Sequence, residues 1–428
     1  MSKFSCMLAV AFLLPLSAQA QTASPAPSAG RSIDLAEAYK LALARSEQIA
    51  ISGEAYEETI AKADELWSRI LPHVSLIGTE SFQDVPKGSS GLFLQRQREQ
   101  AWVNVHQPLF SGLREFLAYR AAKDYGVSAQ LKLERAKQLL YQDVVRAYLD
   151  LLAAQDDIRI RGVLVDITAD RVRELKDFRK VGRARASERL AAESQLALYF
   201  AQMESSRAVE LDAQLRLAFL TGLDERLELK SVSAPVGMPD LGAVVAKARA
   251  RADVESRRSD AQAAERSVKA VTRQRWPQIS LDGNYYLQRP PSFTSDVKWD
   301  ATITGSLPLY FGGEIGAQKR QQQARLRASR QALSAAERTA VLETKSAHQN
   351  LQSSVWIVSA LDNAERLAAE NAKSQAADYR LGQVTNLEVL GSLNALQQTR
   401  LQQNTARLDA YWSRVRLEIA AGVPGGSL

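Results

Sequence analysis

The sequence predicts a membrane-type α+β fold in which long helices alternate with pairs of amphipathic strands. Three observations support this class. Two regions alternate apolar and polar residues, "HVSLIGTESF" from residue 73 and "QISLDGNYYLQ" from residue 278, whereas most of the chain is rich in helix-forming Ala, Leu, Gln, Glu and Arg. Two helical segments without proline exceed ordinary globular lengths. The same order of elements also occurs twice, about 200 residues apart.

The first residues predict export. Lys3 precedes an apolar run at 7–16 and a small-residue stop at 18–20, a pattern typical of a secretory signal peptide (1–20). The run is too short to span a bilayer, and no later stretch approaches ~18 uncharged apolar residues, so no transmembrane helix is expected. The one cysteine, Cys6, would leave with the signal, and we therefore expect neither a disulfide nor a lipid-acceptor cysteine.

The charged and histidine residues predict no catalytic or nucleic-acid site. The 55 basic and 48 acidic residues are mixed, and their alternation at 159–189 indicates a solvated helix face and not a surface for nucleic acid. His73, His106 and His348 lack metal-ligand spacing, and no phosphate loop or nucleophile motif occurs. We expect no metal, no cofactor and no enzyme activity. His73 and His106 are expected to lie near each other at the ends of paired strands, as packing residues.

The first unit of the predicted plan covers residues 32–222 and follows a linker at 21–31. It contains a helix to about residue 70, a β-hairpin at 72–110, a long helix and a short helix. The long helix lacks proline from Leu113 to Val181, and at 1.5 Å per residue it would be about 100 Å long. Such a rod requires helix partners along its length.

The second unit covers residues 240–422, after a connector at 223–239 and before a C-terminal tail at 423–428. It repeats the helix, a β-hairpin at 277–310, the long helix and the short helix. "QPLFSG" from residue 107 corresponds to "LPLYFGG" from residue 307, and Gly182 and Gly382 are separated by the same interval. The sequence therefore predicts an internal two-fold repeat.

The strands predict one apolar and one polar face. In 278–288, Ile279 and Leu281 point to one side, whereas Ser280, Asp282 and Asn284 point to the other. A soluble, half-buried hairpin would give the same pattern. Export, strand lengths near the ~9–11 residues that cross a bilayer, and aromatic residues near the strand ends favour a transmembrane barrel with a water-facing interior.

Four strands per chain cannot close a barrel alone. In hydrocarbon each unpaired backbone group costs several kcal/mol, so other subunits must complete the wall. Two chains would give about 8 strands with a filled interior, whereas three would give about 12 strands with an aqueous pore. On the last helix, Asn394, Gln397 and Asn404 interrupt a leucine seam, which suits packing around a wet bore; a solid coiled-coil bundle remains an alternative for the helices alone.

The duplicated plan and its short motifs resemble the TolC family of outer-membrane efflux proteins. The resemblance rests on "LPHVSL" and "WPQISL" at the strand starts, "QPLFSG" and "LPLYFGG" at the strand ends, and the glycine turns near residues 182 and 382. It implies a homotrimer with a 12-stranded β-barrel in the outer membrane, continued by a long α-helical barrel in the periplasm. It also implies a passive exit duct of a tripartite efflux or type I secretion system, with a periplasmic adaptor and an inner-membrane pump or exporter as partners.

The resemblance also implies which residues carry function. The turns at the periplasmic tip, where the adaptor would bind, contain Gly182, Gly382, Arg380, Gln383 and Val384. Glu388 matches an acidic residue that lines the closed entrance in the family, and Glu188 holds the corresponding place in the first unit. Three converging carboxylates would attract cations. For each glutamate the alternative is an exposed acid near a helix N-terminus, where the macrodipole favours it.

Two positions depart from the family pattern. Gly391 replaces a second acidic residue that some members carry, and Val384 replaces an expected arginine. A double constriction ring with a salt-bridge lock is therefore not expected. Two other functions compete with the duct: a periplasmic coiled-coil adaptor or scaffold without channel activity, and a self-sufficient porin, which the long helices disfavour. The sequence leaves the cargo open.

Overall fold

The computed structural model describes residues 31–84, 96–182, 184–223, 227–233, 237–290 and 294–423. The predicted signal peptide, all but the last residue of the linker, parts of the connector and nearly all of the C-terminal tail lie outside these ranges. No helix within them combines the length and apolarity that crossing a bilayer requires.

Two pairs of helices of equal length dominate the fold. In the described ranges the helices are α1 (Leu35–Arg45), α2 (Glu47–Ser68), α3 (Arg114–Lys180), α4 (Ala186–Thr221), α5 (Leu241–Ala248), α6 (Ala252–Thr272), α7 (Glu314–Arg380) and α8 (Asn386–Ala421). Helices α3 and α7 have 67 residues each, and α4 and α8 have 36 each. The offset between α3 and α7 equals the offset between α4 and α8. At 1.5 Å per residue, α3 and α7 are each about 100 Å long.

The helix predicted before each hairpin is in fact broken. In the first unit the break lies between α1 and α2 at Ser46, whose hydroxyl accepts a hydrogen bond from the Ile49 N–H at 3.3 Å and so caps a new helix. In the second unit the break separates α5 from α6, and a 3₁₀ turn at Arg273–Arg275 ends the segment. The prediction of a single helix was wrong in both units, because helix-forming residues continue through each break; Ser46 caps the helix after the first break, whereas the second has no side-chain cap.

The strands form two sheets. They are β1 (Arg31–Ile33), β2 (His73–Phe82), β3 (Gln97–Phe110), β4 (Leu227–Leu229), β5 (Gln278–Gln288) and β6 (Trp299–Ser306). The larger sheet is antiparallel in the order β2-β3-β5-β6, and a small parallel sheet pairs β1 with β4. The small sheet was not predicted. Strand β6 ends before the predicted limit near residue 310, at Ser306, because Ser306 pairs with Gln278, the first residue of its partner β5.

The alternation predicted for the strands is present in the larger sheet. One face carries exposed apolar side chains, with Leu76 71 % and Ile303 70 % exposed. The other face carries cross-strand hydrogen bonds: Asn104 Nδ2 donates to Asn284 Oδ1 and Asn284 Nδ2 donates to Asp300 Oδ1, both at 2.8 Å. One face therefore suits an apolar environment, and the other is polar across the three strands that these bonds join.

The two predicted neighbours, His73 and His106, are direct partners in the register of β2 and β3. His106 does more than pack, because its Nδ1 lies 2.6 Å from Asp282 Oδ1 on β5. The polar face thus links β3 to β5 near the helical end of the sheet.

Helix α3 is the central rod of the chain. It packs against α2, α4, α6 and α8, whereas α7 packs against α6 and α8. Near the sheet the helices follow the order α2-α3-α6-α7, and beyond the middle the order is α4-α3-α8-α7. Helix α2 leads into edge strand β2, and edge strand β6 leads into α7. The two edges of the sheet therefore continue as the two edges of the helix layer.

The main core lies in the middle of the helical part and contacts the small sheet. Tyr148 on α3 is fully buried, and its hydroxyl donates to the Lys230 carbonyl at 2.8 Å and to the Ile33 carbonyl at 3.2 Å. Leu151 and Leu217 complete the contact between α3 and α4 around it. This core fixes β1 and β4 against the long rod.

Candidate functional site

The candidate site lies at the helix ends farthest from the sheet, where α3 turns into α4 and α7 turns into α8. Gly182 and Gly382 occupy these turns, each with φ of +75°. After α7, the Gly382 N–H donates to the Tyr379 carbonyl at 2.9 Å and the Gln383 N–H donates to the Asp378 carbonyl at 3.0 Å. This Schellman pattern requires a left-handed residue at Gly382.

Substituting Gly382 by alanine is expected to destabilise this turn by about 1 kcal/mol, because an L side chain strains the left-handed conformation. No heavy atom lies within 4 Å of the added Cβ, so steric contact contributes nothing. Faster amide hydrogen exchange at residues 379–386 would report the effect. The matched control is Gly391→Ala within α8, where the space is also open and the added Cβ favours the helix. Unchanged exchange in the Gly382 variant would contradict the prediction.

Glu388 caps its own helix. Its Oε2 accepts from the Thr385 N–H at 2.6 Å and from the Thr385 hydroxyl at 2.8 Å. These hydrogen bonds, first the backbone one, lower the pKa of the Glu388 carboxyl, so it is ionised at neutral pH. Glu188 has the equivalent place at the start of α4, where Oε2 accepts from the Arg185 N–H at 3.3 Å. Both glutamates therefore cap the N-termini of their own helices, the part of a helix where the macrodipole favours an acid.

The remaining predicted site residues surround the second turn. Arg380 is the last residue of α7, and Arg380 and Gln383 are exposed, whereas Val384 is half-buried. They lie beside Gly382, as the predicted contact surface requires. Binding of an adaptor to them stays a prediction.

A residue that sequence reasoning missed, Arg171, connects the helices near these turns. Its side chain on α3 is 10 % exposed. Its Nε donates to Asn386 Oδ1 at 3.0 Å, its Nη1 donates to Glu174 Oε2 at 2.5 Å, and its guanidinium lies 3.7 Å from the ring centroid of Tyr379. Three helices therefore meet at one cation.

The fourth helix joins through Asn386, whose Nδ2 donates to the Glu188 carbonyl at 3.4 Å. We call Arg171, Tyr379 and Asn386 the arginine hub. Burial raises the pKa of the Tyr379 hydroxyl, so its ring stays neutral beside the guanidinium at neutral pH. The hub links α3, α4, α7 and α8 just above the turns.

The prediction that 159–189 is a solvated face was wrong for this part of α3. Arg171 falls on the same helical face as the buried Thr168 and Leu175, three residues before and four after it. This spacing could have indicated a buried helical face from the sequence alone, but the many charged residues around it favoured the interpretation as an exposed face. Asn394, one of the polar residues that interrupt the leucine seam of the last helix, accepts hydrogen bonds from Tyr199 and Gln195 of α4.

The described residues contain no group of three His, Cys, Asp or Glu side chains that could hold a metal ion. The arrangement offers instead two glycine turns, two carboxylates that cap their own helices and a hub around Arg171 and Asn386 that connects four helices.

Comparison with known proteins agrees with this geometry. Residues 245–423 match the family described as Outer membrane efflux protein. The outer membrane protein TolC of Salmonella enteritidis is 27 % identical over 117 residues, which is 27 % of this chain. That alignment spans about a quarter of the relative's own length, 24 %.

Solved structures share the fold over nearly the whole chain. CusC, whose structures were described for transmembrane channel formation, has a TM-score of 0.80 at 16 % identity, covering 94 % of this chain and 95 % of that one. The outer membrane protein VceC of Vibrio cholerae has a TM-score of 0.76 at 16 % identity, covering 91 % and 96 %. The outer-membrane channel OprN has 0.75 at 18 % identity, covering 91 % and 89 %.

Proposed function

The chain is an outer-membrane efflux protein of the TolC family, and from that premise we propose that three copies form the exit duct of a tripartite efflux or type I secretion system. It resides in the outer membrane and extends into the periplasm. In the proposed duct a partner pump supplies the energy, and transport through the duct itself is passive. The cargo class depends on that pump.

The four-stranded sheet is the observation that carries the proposal. Strands β2 and β6 each pair on one side only within the described residues. The side chains of one row across the sheet, Leu76, Val103, Tyr285 and Trp299, are apolar and share a face. In a bilayer such a sheet needs closed edges. Three copies would supply 12 strands, a number that leaves an aqueous lumen.

The helical part supports a duct that continues beyond the membrane. Helices α3 and α7 extend about 100 Å from the sheet, and the shorter helices lie end to end beside them. The equal lengths and the constant offset of the four largest helices support the proposed duplication, with units at 32–222 and 240–422. Three copies would place twelve helices side by side around the passage.

The turns far from the sheet are the proposed contact with a periplasmic adaptor and with an inner-membrane pump or exporter. Gly182, Gly382, Arg380 and Gln383 are exposed there. In the trimer, Glu388 and Glu188 would surround the entrance in three copies each. A ring of three ionised Glu388 carboxylates would favour cations.

The proposed function is tested by purification from outer-membrane fractions in detergent. A heat-modifiable trimer and discrete conductance steps in planar lipid bilayers are expected. Loss of substrate export in a deletion strain, restored by this chain only when the partner pump is present, would separate the duct from a self-sufficient porin. A detergent-independent monomer without conductance would instead favour the coiled-coil adaptor.

Changing Glu388 to glutamine is expected to reduce the preference of the channel for cations severalfold. Glutamine keeps an oxygen that accepts from the Thr385 N–H, so the helix cap survives while the charge is lost. Reversal potentials in a salt gradient measure the effect, and Glu370→Gln, an exposed change on α7, is the control. An unaltered reversal potential would remove Glu388 from the entrance.

A further inference from the structure

One face of α2 carries acidic residues without a partner among the described residues. Four exposed glutamates there form no ion pair or hydrogen bond through their carboxylates: Glu47, Glu54, Glu57 and Glu58. Glu65 on the same helix, by contrast, pairs with Lys62 and Arg69. We call the first four the acidic face. Like charges three and four residues apart repel each other on a helix, so this face favours a cationic neighbour.

One face of α7 carries the opposite charge. Arg320, Arg327, Arg338 and Lys345 are exposed, and none of them forms an ion pair with a described residue. They recur at intervals of seven or eleven residues, which places them on one stripe of a long helix. The other side of α7 packs on α6, where Arg330 and Glu337 find their partners. We call this stripe the basic face.

The topology brings these two faces together only between copies. Helices α2 and α7 are the opposite edges of the helix layer in one chain, and they continue into β2 and β6, the opposite edges of the sheet. If β6 of one copy pairs with β2 of the next, the attached helices must also become neighbours. They run in opposite directions, because α2 ends at the sheet and α7 begins there.

The charges then lie at matching depths. Glu54 lies about four turns before the end of α2, and Arg327 lies about four turns after the start of α7. At 1.5 Å per residue both lie about 20 Å from the sheet end of their helices. The next pair lies farther from the sheet: Glu47 is about six turns before the end of α2, and Arg338 is about seven turns after the start of α7. Two acids and two bases therefore meet pairwise along one seam.

We propose that the acidic face of α2 binds the basic face of α7 in a second copy of this chain and fixes the register in which the copies join. This proposal rests on the trimer proposed above and names the partner of one of its surfaces. Complementary charge rows favour one alignment and penalise shifted ones, which gives specificity more than affinity.

Charge reversal tests the pairing. Glu54→Arg and Arg327→Glu are each expected to lower the temperature of trimer dissociation in detergent by about 5 °C or more, and the double variant is expected to recover most of the loss. The effect should shrink at about 0.5 M salt or above, because exposed charges are screened. The control, Asp166→Arg, changes an exposed acid on the central helix α3 and should have little effect.

Cross-linking tests the geometry independently of stability. Ala50 lies about five turns before the end of α2 and Gln331 lies about five turns after the start of α7, so cysteines at both positions should meet across the seam. A short bismaleimide is expected to yield covalent dimers and trimers from the double variant and none from either single variant. The only natural cysteine, Cys6, lies in the predicted signal peptide and adds no background.

The outcomes separate this inference from the proposed function. If the wild type is a conducting trimer but the reversals have no effect and the cysteines do not cross-link, the charge seam is wrong and the duct stands. If the wild type is a monomer under every condition, the proposed function fails and the seam fails with it. Rescue by the double reversal together with cross-linking establishes the seam.

Discussion

The variant Arg171→Ala is expected to loosen the helix ends far from the sheet and to cost about 2–4 kcal/mol of local stability. The substitution removes two charge-assisted hydrogen bonds and the contact with the Tyr379 ring, and it leaves Asn386 Oδ1 without its donor. Since the hub connects α3, α4, α7 and α8, their ends should open more often. Hydrogen exchange at 379–390 should accelerate on the order of tenfold or more, and bilayer conductance should become larger or noisier.

The matched control for this prediction is Arg173→Ala, two residues further along the same helix. Its side chain is 76 % exposed and, among the described residues, pairs with the exposed Asp170 alone, so the change should be nearly neutral. Arg171→Lys is a further comparison, because lysine keeps the charge but cannot reproduce the planar contacts. Equal exchange rates in the Arg171 and Arg173 variants would show that the hub does not hold the helices.

A second large effect is expected in the middle of the chain, where Arg251→Met should cost about 3 kcal/mol. The Arg251 side chain is 2 % exposed and forms a bidentate pair with Asp253, at 2.7 and 2.8 Å, and a bond to Glu343 at 2.6 Å. It also donates to the Ala420 carbonyl at the end of α8, at 3.2 Å. Removing the cation leaves two carboxylates together, and the partial exposure of Glu343 moderates the cost.

The same contact predicts a pH dependence. Burial raises the pKa of the Asp253 carboxyl, but the hydrogen bonds and charge of Arg251 outweigh burial and hold it below the ordinary value. A lowered pKa stabilises the folded state above about pH 4, and this stabilisation is lost as the pH falls through the lowered value. The difference between wild type and Arg251→Met in the midpoint temperature of thermal unfolding should therefore be largest near pH 7 and should shrink below about pH 4.

Arg249→Met is the control for this pair of predictions. Arg249 is exposed just before the buried arginine and forms no ion pair with a described residue. Its substitution should leave both the midpoint of thermal unfolding and its pH dependence unchanged. A difference between Arg251→Met and wild type that stayed constant from pH 7 to pH 3 would contradict the assigned role of Asp253.

The elements that the sequence predicted well are those with local signals. Strand β5 spans the predicted residues 278–288, because alternation is sustained over its whole length and Pro277 marks its start. The first long helix begins and ends within one residue of the predicted limits, since Gly112 and Gly182 flank it. Proline and glycine mark the ends of these elements, and both are recognisable in the sequence itself.

The elements that escaped prediction depend on partners far away in the chain. Strands β1 and β4 have three residues each, too few for a period, and exist because they pair with each other across the whole first unit. The buried state of Arg171 depends on Asn386, 215 residues away. In the candidate site the glycine turns and the two glutamates were predicted, whereas the cation that holds their helices together was not.

The pairing of β3 with β5 has a consequence for how the chain reaches its native state. Asn104 bonds to Asn284, 180 residues later, so β3 cannot pair with β5 until the second half of the chain has been synthesised. Topologies with such high contact order fold slowly, and an unpaired strand edge invites wrong association meanwhile. In the interval between synthesis of the first hairpin and synthesis of the second, the edge of β3 that later pairs with β5 is therefore open to wrong association.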